Sequence, residues 1–345
     1  MSTDGDTTDF AAGTIYFTAP RTVELRREPV QLDEGQIVLE SELIGVSCGT
    51  ELLLYRDEFP KGATEDALSG LPSTLSYPVA YGYMNVCHDD EGNRYFAFAP
   101  HSTRFTARPE TLVPIGSLPA GDAVFAASME TAVGIVQDAN PLPGDHVLVL
   151  GQGVIGLLVA DILRANGLVS VYVTEPASFR RQKATEAGSV VLPAESPEAS
   201  RMLLAATEGR GVDTAINVSG SDTALQFAID HLAYEGRVVE ASWFGEKTQS
   251  LSLGTRFHRK RLTLTASQVS NVGGTFSSRW SKERRMRFVV ELLGKLVPSR
   301  YITHRFSMEE CRDAFALLDD PQAEVLQPVF LPGEAPDKSP KSATK

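Results

Sequence analysis

Two textures of apolar and polar positions divide the chain. From Thr14 to about Ser128 the apolar residues come in short runs, among them TIYFT, TVELR and QIVLESELIGV, separated by turn residues and without sustained helical period. That texture predicts a mainly β region. At Val147 it changes: VLVL runs into a glycine turn and then into LLVADILRANG, whose leucines, isoleucine and alanines recur at helical spacing. Further strands are predicted at 170–174, 189–192, 213–217, 237–242 and 262–266, with helical connections between them. Six strands joined in this way describe a doubly wound parallel sheet. Beyond it the sequence predicts a charged helix (WSKERRMRFVVELLGKL), a β-like ITHRF, a second short helix (MEECRDAFALLDD) and a last strand, VLQPVF.

A chain of 345 residues with 42% hydrophobic content can fill two cores. The expected organisation is a β-rich domain over 14–130, a parallel α/β domain over 131–268, and a return to the first domain over 269–331. The ends, 1–13 and 332–345, are rich in polar residues, proline and glycine and are expected to be disordered. No run of eighteen apolar residues and no basic start followed by an apolar stretch is present, so the expectation is a cytoplasmic protein that does not act at a membrane. Cys48, Cys87 and Cys311 lie too far apart in sequence to suggest a disulfide framework or a four-cysteine zinc site. A net charge of -12 argues against nucleic acid as a partner.

The glycine turn reads Gly151-Gln152-Gly153-Val154-Ile155-Gly156. G-x-G-x-x-G alone is a weak signal; here a predicted strand precedes it, a helix follows it, and Glu175 ends the next strand nineteen residues after Gly156. In this context Gly151 permits the tight turn, Gly153 lets a pyrophosphate approach the backbone, and Gly156 lets helix pack on strand. The helix N-terminus then favours the diphosphate. Glu175 is placed to accept bonds from ribose hydroxyls and to repel a 2′-phosphate, which ranks NAD ahead of NADP. Arg180 and Arg181 pull the other way, since either could bind a phosphate or stack on adenine.

The segment Gly45-Val46-Ser47-Cys48-Gly49-Thr50-Glu51-Leu52 resembles the cysteine-glycine-threonine-aspartate loop of medium-chain alcohol dehydrogenases. With PLPGDHVLVLGQGVIG and LAYEGRVVEASWFG, the resemblance extends to the zinc-type alcohol dehydrogenase-like superfamily over nearly the whole chain. CGTELLLYR, YPVAYGY, METAV and FHRKRLTLTASQVS are similar to the branch that includes bacteriochlorophyllide dehydrogenase. The resemblance implies an α/β chain: a GroES-like β-rich catalytic domain with an inserted Rossmann domain. It also implies a small-molecule substrate and a homodimer joined edge to edge near Leu262–Ala266.

Residue by residue, the resemblance implies less metal chemistry than its name suggests. Of the family's catalytic zinc ligands only Cys48 matches; Tyr83 stands at the histidine position after Gly82, Met84 replaces the glutamate, and Ala126 and Ala127 fall where a third ligand is expected. One thiolate cannot hold a catalytic zinc, which takes about three protein ligands. No metal is therefore expected, with a degenerate site using Cys48 and Glu130, and Tyr83 or His101 as poorer candidates, as the alternative. Thr50 matches the hydroxyl that passes the substrate proton towards the nicotinamide ribose. Tyr83 is either a hydrogen-bond donor to the reacting oxygen or an aromatic wall, and Cys48 either a site residue or a small buried remnant of a metal-binding ancestor. Thr131 and Ile155 match residues flanking the nicotinamide ring. His101 and His258 are further candidates.

The expected activity is hydride transfer between NAD(P) and a secondary alcohol or carbonyl, without catalytic zinc. The alternatives are a zinc-free quinone or enone reductase, and a dinucleotide-binding protein without catalysis.

Overall fold

The computed structural model describes residues 11–59, 75–245, 247–273 and 276–333. The chain divides into two compact units, one made of 1–125 and 299–345, the other of 126–298.

The first unit begins with β1 (Ala11–Ala19), β2 (Thr22–Pro29) and β3 (Ile37–Gly45), then the short helix α1 (Thr50–Tyr55). It continues through β4 (Val79–Ala80), β5 (Asn85–His88), β6 (Arg94–Ala97), β7 (Arg104–Ala107), β8 (Val113–Pro114) and α2 (Ala120–Ala123). The second unit runs α3 (Ala126–Ala139), β9 (His146–Leu150), α4 (Val154–Asn166), β10 (Ser170–Glu175), α5 (Ser178–Glu186) and β11 (Val190–Pro193). It goes on with α6 (Pro197–Ala206), β12 (Val212–Asn217), α7 (Asp222–His231), β13 (Leu232–Glu240), α8 (Arg256–Arg259), β14 (Thr263–Ala266) and α9 (Lys282–Leu296). The chain then re-enters the first unit with β15 (Ile302–Ser307), α10 (Cys311–Asp319) and β16 (Gln327–Leu331).

Unit two is the predicted sheet: all pairings are parallel, in the order β11-β10-β9-β12-β13-β14. Val147, Leu148, Val149 and Leu150 are fully buried, as expected for a central strand covered on both faces. The connecting helices carry local start signals: Ser196, Ser221 and Ser281 cap α6, α7 and α9 by accepting bonds from the amides of Ala199, Ala224 and Arg284. In unit one a three-stranded sheet (β2-β1-β4) and a sheet in the order β15-β16-β3-β5-β6-β8, with β7 on β3, enclose a core around Phe17, Ile44, Phe315 and Phe330.

Three expectations are corrected. β1 begins at Ala11, inside the stretch expected to be disordered, because Ala11, Ala12 and Gly13 pair with Pro29, Glu28 and Arg27. The other residues of 1–13, and the tail beyond Gly333, lie outside the described residues. The helix at 282–296 belongs to the parallel unit and not to the first domain, since buried Arg285 on α9 bonds Glu130 on α3 at 2.7 Å and 3.0 Å. α3 itself starts at Ala126, so the unit boundary falls before residue 131. Among the described residues no helix is long and apolar enough to cross a membrane.

Candidate functional site

In unit two, the three glycines of the turn meet different constraints. Gly151 has φ +93°, and a Cβ there would lie 2.8 Å from the Ser219 Cα. A Cβ on Gly156 would lie 1.9 Å from the Gly151 carbonyl oxygen, so helix and turn can touch only through hydrogen. Beside Gly153 there is open space, and no side chain caps the helix that starts at Val154. The amides of Val154, Ile155 and Gly156 therefore remain at a bare N-terminus, a ready anion site. The Gln152 side chain donates to the Gly151 carbonyl at 2.7 Å, while its buried Oε1 has no partner.

Glu175 is 3% exposed, and its two oxygens accept the Gln152 amide at 2.7 Å and the Ala177 amide at 2.9 Å. It thus ties the glycine turn to the end of β10, leaving lone pairs on each oxygen for further donors. Arg181 is engaged by the carbonyls of Glu175 and Pro176, whereas among the described residues Arg180 has no ion pair. Glu195, just past β11, accepts the Thr174 hydroxyl at 2.8 Å, so a second acid lies on this side of the sheet. Thr131 bonds back to the Ala127 carbonyl at 3.1 Å within α3. His258 is exposed on α8.

In unit one the predicted residues Cys48, Thr50 and Tyr83 come together around α1. Tyr83 donates to the Ser47 hydroxyl at 2.5 Å and also bonds the Thr50 hydroxyl. Its phenol is pushed up to about 12, first by burial and then by the Glu51 carboxylate, so it remains a donor. Glu51 is fully buried: one oxygen accepts the Ser47 amide at 3.0 Å and the other the His101 Nε2–H at 2.7 Å. The His101 ring, also fully buried, has an unpartnered Nδ1 and requires Gly82, where a Cβ would meet it at 2.8 Å and φ is +138°. His101 is thus a clamp on the loop through Glu51. The Cys48 thiol donates to the Leu326 carbonyl at 2.9 Å.

Sequence reasoning passed over Ser47 and Glu51 although both stand in the quoted loop. An acid followed by LLLY on a short helix looks solvent-facing, and only the buried histidine fifty residues away in the strand-rich half explains it. Arg285, the partner of Glu130, carried no signal in a helix with three arginines.

The architecture is that of a GroES-like β unit joined to a Rossmann unit. The family model "Zinc-binding dehydrogenase" matches residues 154–287. L-threonine 3-dehydrogenase of Pyrococcus furiosus is 30% identical over 183 residues, 52% of this chain and 50% of that protein. (R,R)-butanediol dehydrogenase of Bacillus subtilis is 34% identical over 107 residues, 31% of each chain. The chain thus spans about half the length, or less, of these curated relatives. The solved structure of 2R,3R-butanediol dehydrogenase from Bacillus subtilis superposes with a TM-score of 0.76 at 19% identity, covering 93% of this chain and 99% of that one. An Escherichia coli alcohol dehydrogenase crystallised with NADH gives 0.75 at 17% identity, with coverage of 93% and 99%. Residues 154–287 are thus similar to zinc-binding dehydrogenases, and over 93% of its length the chain has the fold of these alcohol dehydrogenases.

The metal in that family name does not fit the residues present. Among the described residues no group of three or more His, Cys, Asp or Glu side chains lies together. Glu130, the alternative oxygen ligand, is taken up by Arg285, and His101 by Glu51. The thiol of Cys48 faces a carbonyl, and Tyr83 faces two hydroxyls.

Proposed function

We propose that the chain is a nicotinamide-dependent oxidoreductase that interconverts a secondary alcohol and a carbonyl, prefers NAD, and works without catalytic zinc. The glycine turn carries this reading: Gly153 stands open at an uncapped helix N-terminus on the central strand of a doubly wound sheet. Gly151, Gly153, Val154, Ile155 and Gly156 would hold the pyrophosphate, with Thr131 beside the nicotinamide. The cofactor, when bound, supplies the acceptor or donor of hydride. Preference for NAD rests on two carboxylates, Glu175 and Glu195, at the ends of neighbouring strands β10 and β11, with Arg181 engaged by backbone carbonyls. Arg180, on the following helix α5, would oppose them.

The chain's own contribution to the proton side is the hydroxyl set Tyr83, Ser47 and Thr50. A phenol held neutral can donate to a developing alkoxide, the service a metal performs elsewhere. Thr50, both donor and acceptor, suits a relay. Cys48 then packs as a small thiol. β14, exposed along all four residues, offers the free sheet edge through which two copies would pair.

The test is a fluorescence titration of purified protein with NADH and NADPH, with metal content measured on the same sample before chelation. NADH bound more tightly than NADPH, without stoichiometric zinc, is the expected result. One zinc per chain would overturn the metal-free mechanism, and binding of neither nucleotide would overturn the dehydrogenase reading.

A further inference from the structure

Outside the glycine turn and the hydroxyl set, Glu240 is a half-buried carboxylate of the parallel unit held by neutral partners. Glu240 ends β13 and is the register partner of Asn217, which ends β12. The Asn217 amide donates to one Glu240 oxygen at 2.6 Å, and the Ser242 backbone N–H donates to the other at 2.7 Å. Asn217 in turn accepts the Ser219 hydroxyl at 2.7 Å, and Ser219 is the residue that packs on Gly151. A continuous polar chain therefore runs from the glycine turn to Glu240.

All these partners are neutral donors. Among the described residues no lysine, arginine or histidine pairs with Glu240, and burial raises its carboxyl above the ordinary glutamate value. A half-buried carboxylate without a cation is costly, and a cationic ligand beyond the strand end would offset that cost.

The topology indicates which ligand. In a doubly wound sheet the two halves, here β9–β11 and β12–β14, each serve one mononucleotide across the switch point, and ligands lie beyond the carboxyl ends of the strands. The glycine turn and Glu175 belong to the first half and Glu240 to the second. On the reading proposed above, the second mononucleotide is the nicotinamide one, whose ring is cationic when oxidised and neutral when reduced.

We infer that Glu240 is a charge-selecting residue of the nicotinamide half, which holds oxidised NAD more tightly, relative to NADH, than a neutral side chain would. This rests on the nicotinamide reading. The test compares dissociation constants for NAD+ and NADH in the whole protein and in Glu240→Gln, which keeps the shape and an oxygen acceptor for Asn217. The expected result is about tenfold weaker NAD+ binding by the variant with NADH affinity unchanged, the size of one partly screened charge interaction. Unchanged constants for both forms would overturn the inference, as would equal weakening of both, which marks a structural role or a bond to a ribose hydroxyl. Should Glu240→Gln fail to fold, the same comparison on Glu240→Asp, which keeps the charge, must show the wild-type preference. Wild-type protein that binds neither form overturns the nicotinamide reading and the inference together, a failure distinct from the others.

Discussion

The glycine turn of unit two and the hydroxyl set of unit one are both candidate machinery, yet they are specified in different ways. The turn is local: six consecutive residues set its φ values, its close contacts and its helix start, and Glu175 closes it from the next strand. The hydroxyl set is assembled from distant pieces, with Ser47, Thr50 and Glu51 from the β3–α1 loop, Tyr83 before β5, and His101 from beyond β6. Backbone geometry imposed by glycine leaves little room for variation, whereas a polar cluster can exchange members as long as every buried group keeps a partner. That difference allows one half to match a family pattern while the other departs from it at the positions where the family holds its metal.

The comparison breaks most severely at Gly156→Val. The added carbon would stand 1.9 Å from a backbone oxygen that cannot retreat without unmaking the turn. Loss of NADH binding and more than about 4 kcal/mol of stability are expected by fluorescence and urea denaturation. Glu130→Ala comes next, because it strands the Arg285 guanidinium in the interior; about 3–5 kcal/mol is expected. The double variant Glu130→Leu with Arg285→Met should recover most of that in the same assay, since no charge remains unpaired. A double variant as unstable as Glu130→Ala would show that the pair does more than neutralise itself.

Tyr83→Phe sharpens the contrast between the halves. It should lower turnover about a hundredfold, as for loss of one donor to a developing oxyanion, while NADH affinity stays as in wild type and stability changes by about 1 kcal/mol. A fall in NADH affinity instead would tie the phenol to the cofactor rather than to the substrate oxygen. Gly82→Ala is milder, about 1–3 kcal/mol in chemical denaturation, combining a left-handed backbone with a Cβ pressed on the His101 ring.

What could be read from sequence follows the same division. The six parallel strands were legible because central strands of such sheets are continuous apolar runs and because G-x-G-x-x-G announces its own turn. β13 begins at Leu232 rather than Arg237, since Tyr234 and Glu235 expose polar atoms at a register shift that interrupts the apolar run. The placing of 282–296 could not be read, because its docking depends on one arginine reaching one glutamate 155 residues earlier. Thr50, Tyr83 and Cys48 were visible through their loop and through Gly82, and His101 as a further candidate, but its pairing with Glu51 was not: a buried acid–histidine pair is written in neither residue's neighbours. Glu240 was likewise hidden at the end of an otherwise ordinary apolar strand.

The smallest expected effect is alkaline. The Tyr83 phenol lies at about 12 in the folded protein against 10.0 for an unperturbed tyrosine, through burial first and the Glu51 carboxylate second. A folded-state value above the unfolded one means that folding favours the protonated form. The associated stability is fully present below pH 10 and is lost as pH rises through about 12. Denaturation midpoints of wild type should therefore fall across this interval more steeply than those of Tyr83→Phe. The variant should keep part of the fall, because Tyr81 beside it is raised in the same direction by burial, then by Tyr83 and Glu51. Glu51→Gln removes the repelling charge while its remaining oxygen can still accept from the Ser47 amide or His101, so tyrosinate absorbance should appear at lower pH than in wild type. Absorbance rising at the same pH in both proteins would mean that burial alone holds the phenol, and that Glu51 serves only to tie the loop to His101.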